Sequence, residues 1–203
     1  MSAAERRSLW GASRVAVTEL DRAAAVRRAL RTLVARRGFH GASMSAVAAE
    51  AGVATGTAYT HYASKDELVL ATYLETKAEL AAGATAGLDP SAGPAERFRG
   101  IWLATYRHLS ADRDRALFLL QVDSSPFRAA AHEAARAGEG DPLMEQAVSP
   151  DIAERLFPLP LEVVYELGLG PAVRLAASEA ELDDGELDEV AAACWRAVSR
   201  PGA

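Results

Sequence analysis

Residues 39–68 read FHGASMSAVAAEAGVATGTAYTHYASKDEL, and this stretch decides the fold. Ser43 is the kind of residue that caps a helix start. It precedes a short segment, Met44 to Ala51, in which Val47 and Ala48 face inward. Gly52 supplies a tight turn, and a third short helix follows from about Thr55 to Tyr62. Ser64 caps a fourth helix whose first turn holds Asp66 and Glu67, where the dipole favours acids. Two short helices joined by a glycine-bearing turn form a helix-turn-helix, and the second of the pair enters a DNA major groove with its N-terminal residues toward the base edges. Here that face offers Thr55, Gly56, Thr57 and Thr60. Gly56 has no side chain to hold backbone away from DNA. Tyr59, His61 and Lys65 carry donors that reach phosphates, and the start of the fourth helix adds backbone N–H groups.

Outward from this stretch the chain reads as helix throughout. Upstream, Val26, Ala29, Leu30, Leu33 and Val34 recur at helical spacing from Glu19 to Arg37, and Gly38 ends the helix. Residues 1–18 are weakly patterned and are expected to be a flexible arm. Downstream, the fourth helix runs to about Ala82, and Gly83, Gly87, Asp89, Pro90, Gly93 and Pro94 form a break. A fifth helix follows with Phe98, Ile101, Trp102, Thr105, Tyr106 and Leu109 along one face. Asp112 caps a sixth, and Ser125-Pro126 opens an alanine-rich seventh that ends at Gly138. Prolines break residues 138–160 into short helical pieces. Leu161 to Ser178, kinked at Pro171, and Gly185 to Ser199 close the chain. The fold class is all-α: a flexible arm at 1–18, a three-helix helix-turn-helix head at 19–65, and a helical body at 66–203.

Composition agrees. Half of the 203 residues are hydrophobic and a quarter are charged, and alanine is abundant. The formal net charge of −6 argues against a nucleic-acid partner until it is divided. Residues 1–65 hold ten Arg and Lys against four acids, a balance of +6; the remainder holds 12 bases against 24 acids, a balance of −12. A basic head on an acidic body suits a protein that meets phosphates at one end. Cys194 is the only cysteine, so no intramolecular disulfide forms, and a cytoplasmic location is expected. No apolar run approaches the about 18 residues of a membrane span.

At residues 26–70 the chain resembles the TetR family of transcriptional regulators. The likeness lies in Gly38-Phe39, Ser43-Met44, Val47-Ala48, Ala51-Gly52-Val53, Gly56-Thr57, Tyr59, His61-Tyr62, Ser64-Lys65 and Leu68, all in register without an insertion. The resemblance implies that Ser45, Thr55 and Thr57 read base edges and that Tyr59, His61 and Lys65 sit at phosphates. It implies a repressor that binds a two-fold-symmetric double-stranded DNA operator as a homodimer and is released by a small effector, with no cofactor and no metal. Two positions depart from the pattern. The recognition helix holds no Arg or Lys, which shifts the expected burden to Arg6, Arg7 and Arg14 and to DNA shape. Ala58 stands where a large aliphatic is usual. Tyr62 reads as core, Tyr59 does not.

For the body at 66–203 the resemblance implies a ligand-binding and dimerisation domain, with an internal cavity and two final helices paired across a two-fold axis. The apolar ligand site is expected from Phe98, Trp102, Tyr106, Phe127, Met144, Phe157 and Tyr165, with Thr105, His108, Gln121 and Tyr165 as its polar groups. The dimer seam is expected from Val164, Gly168, Ala172 and Leu175 on one helix and Leu187, Ala191, Cys194, Trp195 and Val198 on the last. Two other readings stand beside this one: a regulator without a small-molecule ligand, and an all-α enzyme. The enzyme finds no support in motifs. His132-Glu133 lacks the second histidine of a zinc helix, the Gly-x-Gly pairs lack a phosphate-loop lysine, and there is no Gly-x-Ser-x-Gly.

Overall fold

A computed structural model describes residues 3–137, 142–147 and 149–200, with the side chains of residues 3–19, Pro142 and Met144 left aside. The described residues form twelve α-helices and one 3-10 turn, with no strand among them. Two compact units divide the chain, Met1–Thr72 and Tyr73–Ala203.

In the first unit α1 spans Ala3–Arg37, followed by the 3-10 turn Phe39–Gly41, α2 Met44–Glu50, α3 Thr55–His61 and the opening turns of α4 Lys65–Thr85. The backbone of residues 3–18 thus continues α1 where an arm was expected. These residues lack a strong apolar period, which is the signal a pattern reading follows, yet seven of the sixteen are Ala or Arg, whose intrinsic preference is helical. Val26, Leu30, Leu33, Val34, Val47, Ala48, Ala58, Leu68 and Val69 are buried and form the core of this unit. Gly38 (φ 65) and Gly52 (φ 68) hold left-handed conformations that only glycine adopts without strain. Each therefore turns the chain sharply at the end of a helix. Ser43 Oγ accepts from Ala46 N at 3.2 Å and Ser64 Oγ from Glu67 N at 3.1 Å, so both expected caps form.

The second unit is built on α5, Pro94–Ser110, which packs against α6 Arg113–Asp123, α9 Pro150–Ala153, α11 Gly170–Ala177 and α12 Asp184–Val198. α7 Arg128–Ala137, α8 Pro142–Ala147 and α10 Leu161–Leu167 complete it. Residue 112 is the N-cap of α6, but its side chain makes no cap hydrogen bond; the Asp112 carboxylate lies 3.6 Å from Arg115 instead. The expected helix from Leu161 to Ser178 is two helices rather than one kinked helix. Pro171 has no N–H to bond Leu167, and its ring crowds that carbonyl, so the chain stops at Gly168 and restarts with Pro171 in the first turn of α11. Asp183 and Glu186 cap α12 reciprocally at 2.8 and 2.9 Å. The far end of α12 is tied to the segment before α10 by Phe157 N to Val198 O and Arg200 N to Arg155 O, both 2.8 Å.

α4 runs through Gly83, where the sequence reading ended it. A Cβ at Gly83 would stand 2.3 Å from Nδ1 of His108 and 2.9 Å from its Cγ. The imidazole of α5 occupies the place of a side chain on α4, so this glycine makes room for a packed ring and breaks nothing.

Candidate functional site

In the head, the exposed side of α2 and α3 collects small hydroxyls. Ser45, Thr55, Thr60 and Tyr59 are exposed, Thr57 and His61 are half-buried, and Ala58 turns fully inward. Tyr59 and Tyr62 separate as expected, one outward and one inward. Tyr59 is 52% exposed, a large ring in solvent that packs no core. Tyr62 is buried; its hydroxyl accepts from Arg27 Nη1 at 2.5 Å and donates to the Ala23 carbonyl at 3.4 Å, joining α3 to α1. Thr60 Oγ1 donates to the Gly56 carbonyl at 2.9 Å and Ser45 Oγ lies 3.0 Å from Ser43 Oγ. Thr60 therefore keeps only acceptor capacity for a partner.

Gly56 is informative because nothing in the fold asks for it. Its φ is not positive, and a Cβ built there meets no atom within 4 Å. A glycine inside a helix costs about 0.5–1 kcal/mol relative to alanine. The fold gains nothing for that cost.

Two expected phosphate contacts are already partly engaged. Lys65 Nζ donates to the Phe39 carbonyl at 2.5 Å and stands 5.9 Å from the Phe39 ring centroid. It ties the start of α4 to the 3-10 turn, leaving two of its three donors. The N-terminus of α4 is not the open set of N–H groups that was expected. Ser64 takes Glu67 N, the Glu67 carboxylate takes Ala63 N at 2.8 Å, and Asp66 and Glu67 place negative charge there. Arg6, Arg7 and Arg14 lie outside the described side chains.

In the body, Phe98 and Trp102 are buried, and Trp102 stacks on half-buried Tyr106 with centroids 6.2 Å apart and planes at 10°. Phe127 and Tyr165 are half-buried, and the Met144 side chain lies outside the described residues. Gln121 is exposed, which removes it from the expected interior polar groups. Thr105 is 1% exposed with no partner for its hydroxyl, and the Trp102 indole N–H has only the Cys194 sulfur. Burial pushes the Cys194 thiol up from its ordinary range, with Trp102 and Arg174 pulling it partly back. No group of three or more His, Cys, Asp or Glu is arranged to hold a metal among the described residues.

Of the residues expected at a dimer seam, Ala172, Leu187, Ala191, Cys194, Trp195 and Val198 are already buried within the single chain, where α11 and α12 pack on α5. The Trp195 ring lies 5.3 Å from that of Phe98. Gly168 is buried too, and a Cβ there would stand 3.5 Å from the Phe98 ring. Helical periodicity marks which face is apolar; it does not say whether α5 or a second chain covers it. Val164 and Leu175 are half-buried. Uncovered apolar surface lies instead at Phe157, Leu159, Leu161, Val163 and Leu167, each 37–50% exposed. The signal was present in the sequence, since Phe157, Leu159, Leu161 and Val163 alternate at every second position, a period no helix buries on one side.

Residues 12–72 match the model of bacterial regulatory proteins of the tetR family, and residues 94–199 match that of the tetracyclin repressor-like C-terminal domain. Among solved structures, a TetR-family transcriptional regulator from Haemophilus influenzae is 26% identical, with a TM-score of 0.73 over 90% of this chain and 99% of that one. A putative TetR-family regulator from Vibrio parahaemolyticus is 29% identical, with a TM-score of 0.66 over 87% and 97%. One from Marinobacter aquaeolei, at 19% identity, shares the fold, with a TM-score of 0.71 over 88% and 96%. No curated protein is similar enough to match.

Proposed function

Because the chain belongs to the TetR family of bacterial regulators and is a transcriptional regulator with a DNA-binding head, we propose that it is a ligand-responsive repressor that binds a two-fold-symmetric operator as a homodimer. α3 enters the major groove. Ser45, Thr55 and Thr57 face base edges, and the Gly56 backbone lies against the DNA. Tyr59, Thr60, His61 and Lys65 line the phosphates. Thr60 keeps its hydroxyl proton on Gly56, so it needs a donor, such as a water, between itself and a phosphate.

The observation that supports this most is Gly56, exposed and without a structural reason, beside an exposed Tyr59. With hydroxyls in place of Arg and Lys on α3, bidentate guanine readout is absent from this helix, and affinity leans on phosphates and DNA shape. Binding then depends steeply on salt through counterion release.

Effector response is proposed for the body around Trp102, Tyr106 and Thr105. α4 is the continuous chain between the two units, and within the body the His108 ring of α5 packs on α4 at Gly83. A ligand that shifts α5 therefore presses on α4. A tenfold to hundredfold preference for the non-binding form supplies about 1.4–2.7 kcal/mol per site, enough to empty an operator held near its midpoint. For the homodimer, the surface offered is Phe157 to Leu167, in place of the internal stripe of α12.

The test is operator binding by anisotropy. Tyr59→Ala is expected to weaken binding at least tenfold while leaving thermal stability unchanged, since the ring packs no core. Unchanged affinity would remove Tyr59 and the proposed docking of α3.

A further inference from the structure

The inner face of α5 holds two hydrogen-bond donors for which the described residues supply no oxygen or nitrogen acceptor. Trp102 is fully buried and its indole N–H meets only the Cys194 sulfur; Thr105 is 1% exposed and its hydroxyl is without a partner. They stand three residues apart on one helix and so share a face. The rest of that buried face is Phe98, Ile101, Leu103 and Leu109, which offer no side-chain acceptor.

Thr105 is unusual within its own chain. Thr72 donates to the Leu68 carbonyl at 2.7 Å, Thr85 to the Ala81 carbonyl at 2.7 Å, and Thr60 to the Gly56 carbonyl at 2.9 Å. Each uses the carbonyl four residues back, the local refuge of a helical hydroxyl. The corresponding carbonyl for Thr105 is that of Ile101, and the bond is not made. The only acceptor the described residues give the Trp102 N–H is the Cys194 sulfur, which accepts weakly. Buried polar groups in native proteins are nearly always paired. An unpartnered hydroxyl and an indole N–H held only by sulfur, three residues apart on one apolar face, point to a better acceptor that arrives from outside.

We propose that Trp102 Nε1–H and Thr105 Oγ1–H together recognise the effector, and that the effector is a neutral, mostly apolar molecule carrying a carbonyl oxygen. This rests on the reading of the body as effector-binding and specifies the chemistry of that site. A carbonyl oxygen has two lone pairs and no proton, so one group can take both donors. Neutrality follows from what is buried. Among the described residues of the second unit the buried polar ones are Thr76, Thr105 and Ser199, none of them charged, and Arg174, whose charge reaches Cys194, is itself exposed. His108, the next residue on this face, already has an interaction of its own. A carboxylate seated here would have no buried countercharge.

The experiment uses the full-length protein with nitrogen-15 label and follows the indole N–H signals of its three tryptophans, with Trp102 assigned from Trp102→Phe. The probes are cyclohexanone, 2-octanone and acetophenone, each beside its matched acid (cyclohexanecarboxylate, octanoate, benzoate) and hydrocarbon (methylcyclohexane, octane, ethylbenzene). At least one ketone is expected to move the Trp102 signal and to bind about tenfold or more tightly than its hydrocarbon and its acid, a difference of about 1.4 kcal/mol. Thr105→Val is expected to erase most of that preference and leave hydrocarbon binding as it was. Without any probe, Thr105→Val is expected to raise the melting temperature by about 2–4 °C, because it removes an unpaired buried hydroxyl at constant shape. The proposal is overturned if no ketone reaches Trp102, if hydrocarbon or acid binds as well as ketone, or if Thr105→Val lowers the melting temperature. Operator release is measured separately. A ketone that binds at Trp102 and leaves the operator occupied refutes the switch and keeps the recognition chemistry. A compound that releases the operator without moving Trp102 refutes the chemistry and keeps the switch.

Discussion

Gly56→Ala separates what the fold needs from what DNA needs. A methyl at this position meets nothing within 4 Å, and the residue already has a φ that alanine adopts. Gly to Ala in a helix interior is worth about 0.8–1.0 kcal/mol. Gly56 is the second residue of α3, where less of the backbone is constrained, so about 0.5 kcal/mol is the fair expectation. Chemical denaturation of the head should show that gain as a higher midpoint with unchanged slope. DNA binding should move the other way. If backbone at Gly56 lies against the duplex, the added carbon must displace the docked helix, and a loss of about tenfold or more, roughly 1.4 kcal/mol, follows. Measured together by urea titration and anisotropy, stability and affinity are expected to part in sign. A variant that is more stable and binds equally well would refute the reasoning, because the glycine would then have no external reason. A variant that is less stable would show that the space around Gly56 is not open.

Three further outcomes follow from the body. Gly83→Ala gains helix propensity of about 1 kcal/mol but drives a Cβ into the His108 ring, an overpacking that costs about 1–3 kcal/mol; a net loss is expected in denaturation, and it should vanish in a His108→Ala background, whereas independent effects would deny the contact. Leu161→Glu, at a side chain 50% exposed in one chain, is expected to give folded monomers in sedimentation, and an intact dimer would place the seam elsewhere. Cys194 has a raised pKa through burial, so folding favours the protonated thiol and its contribution to stability is full below the ordinary thiol range and lost as pH rises through the raised value. Native protein at pH 8 should therefore resist iodoacetamide and react only when unfolded; rapid native alkylation would contradict its burial against α5.

Much of the head was legible because its constraints are local. Gly38, Ser43, Gly52 and Ser64 each act within a few residues of themselves, and each turn or cap forms as read. The capping box at Asp183 and Glu186 was equally local, but Asp183 lay just ahead of Gly185, where the helix was expected to begin. What escaped the sequence was long-range. Gly83 looked like a helix end because the ring that needs its space, His108, lies 25 positions away. The apolar stripe of α12 was visible, yet the surface covering it, α5, was not. Pro171 was read as a kink, although the chain had a cheaper solution in stopping at Gly168 and starting again. Residues 3–18 carried helix propensity without periodicity, and periodicity was the signal followed.

The central claim, that α3 of a two-fold dimer reads DNA, is tested most directly by selecting binding sites for the full-length protein from random duplex DNA. The expected result is one enriched, two-fold-symmetric sequence whose half-sites lie about 34–36 Å apart. Its affinity should fall steeply between low and physiological salt and be lost with Tyr59→Ala. Enrichment of no sequence, or of one without symmetry that Tyr59→Ala still binds, would contradict the account.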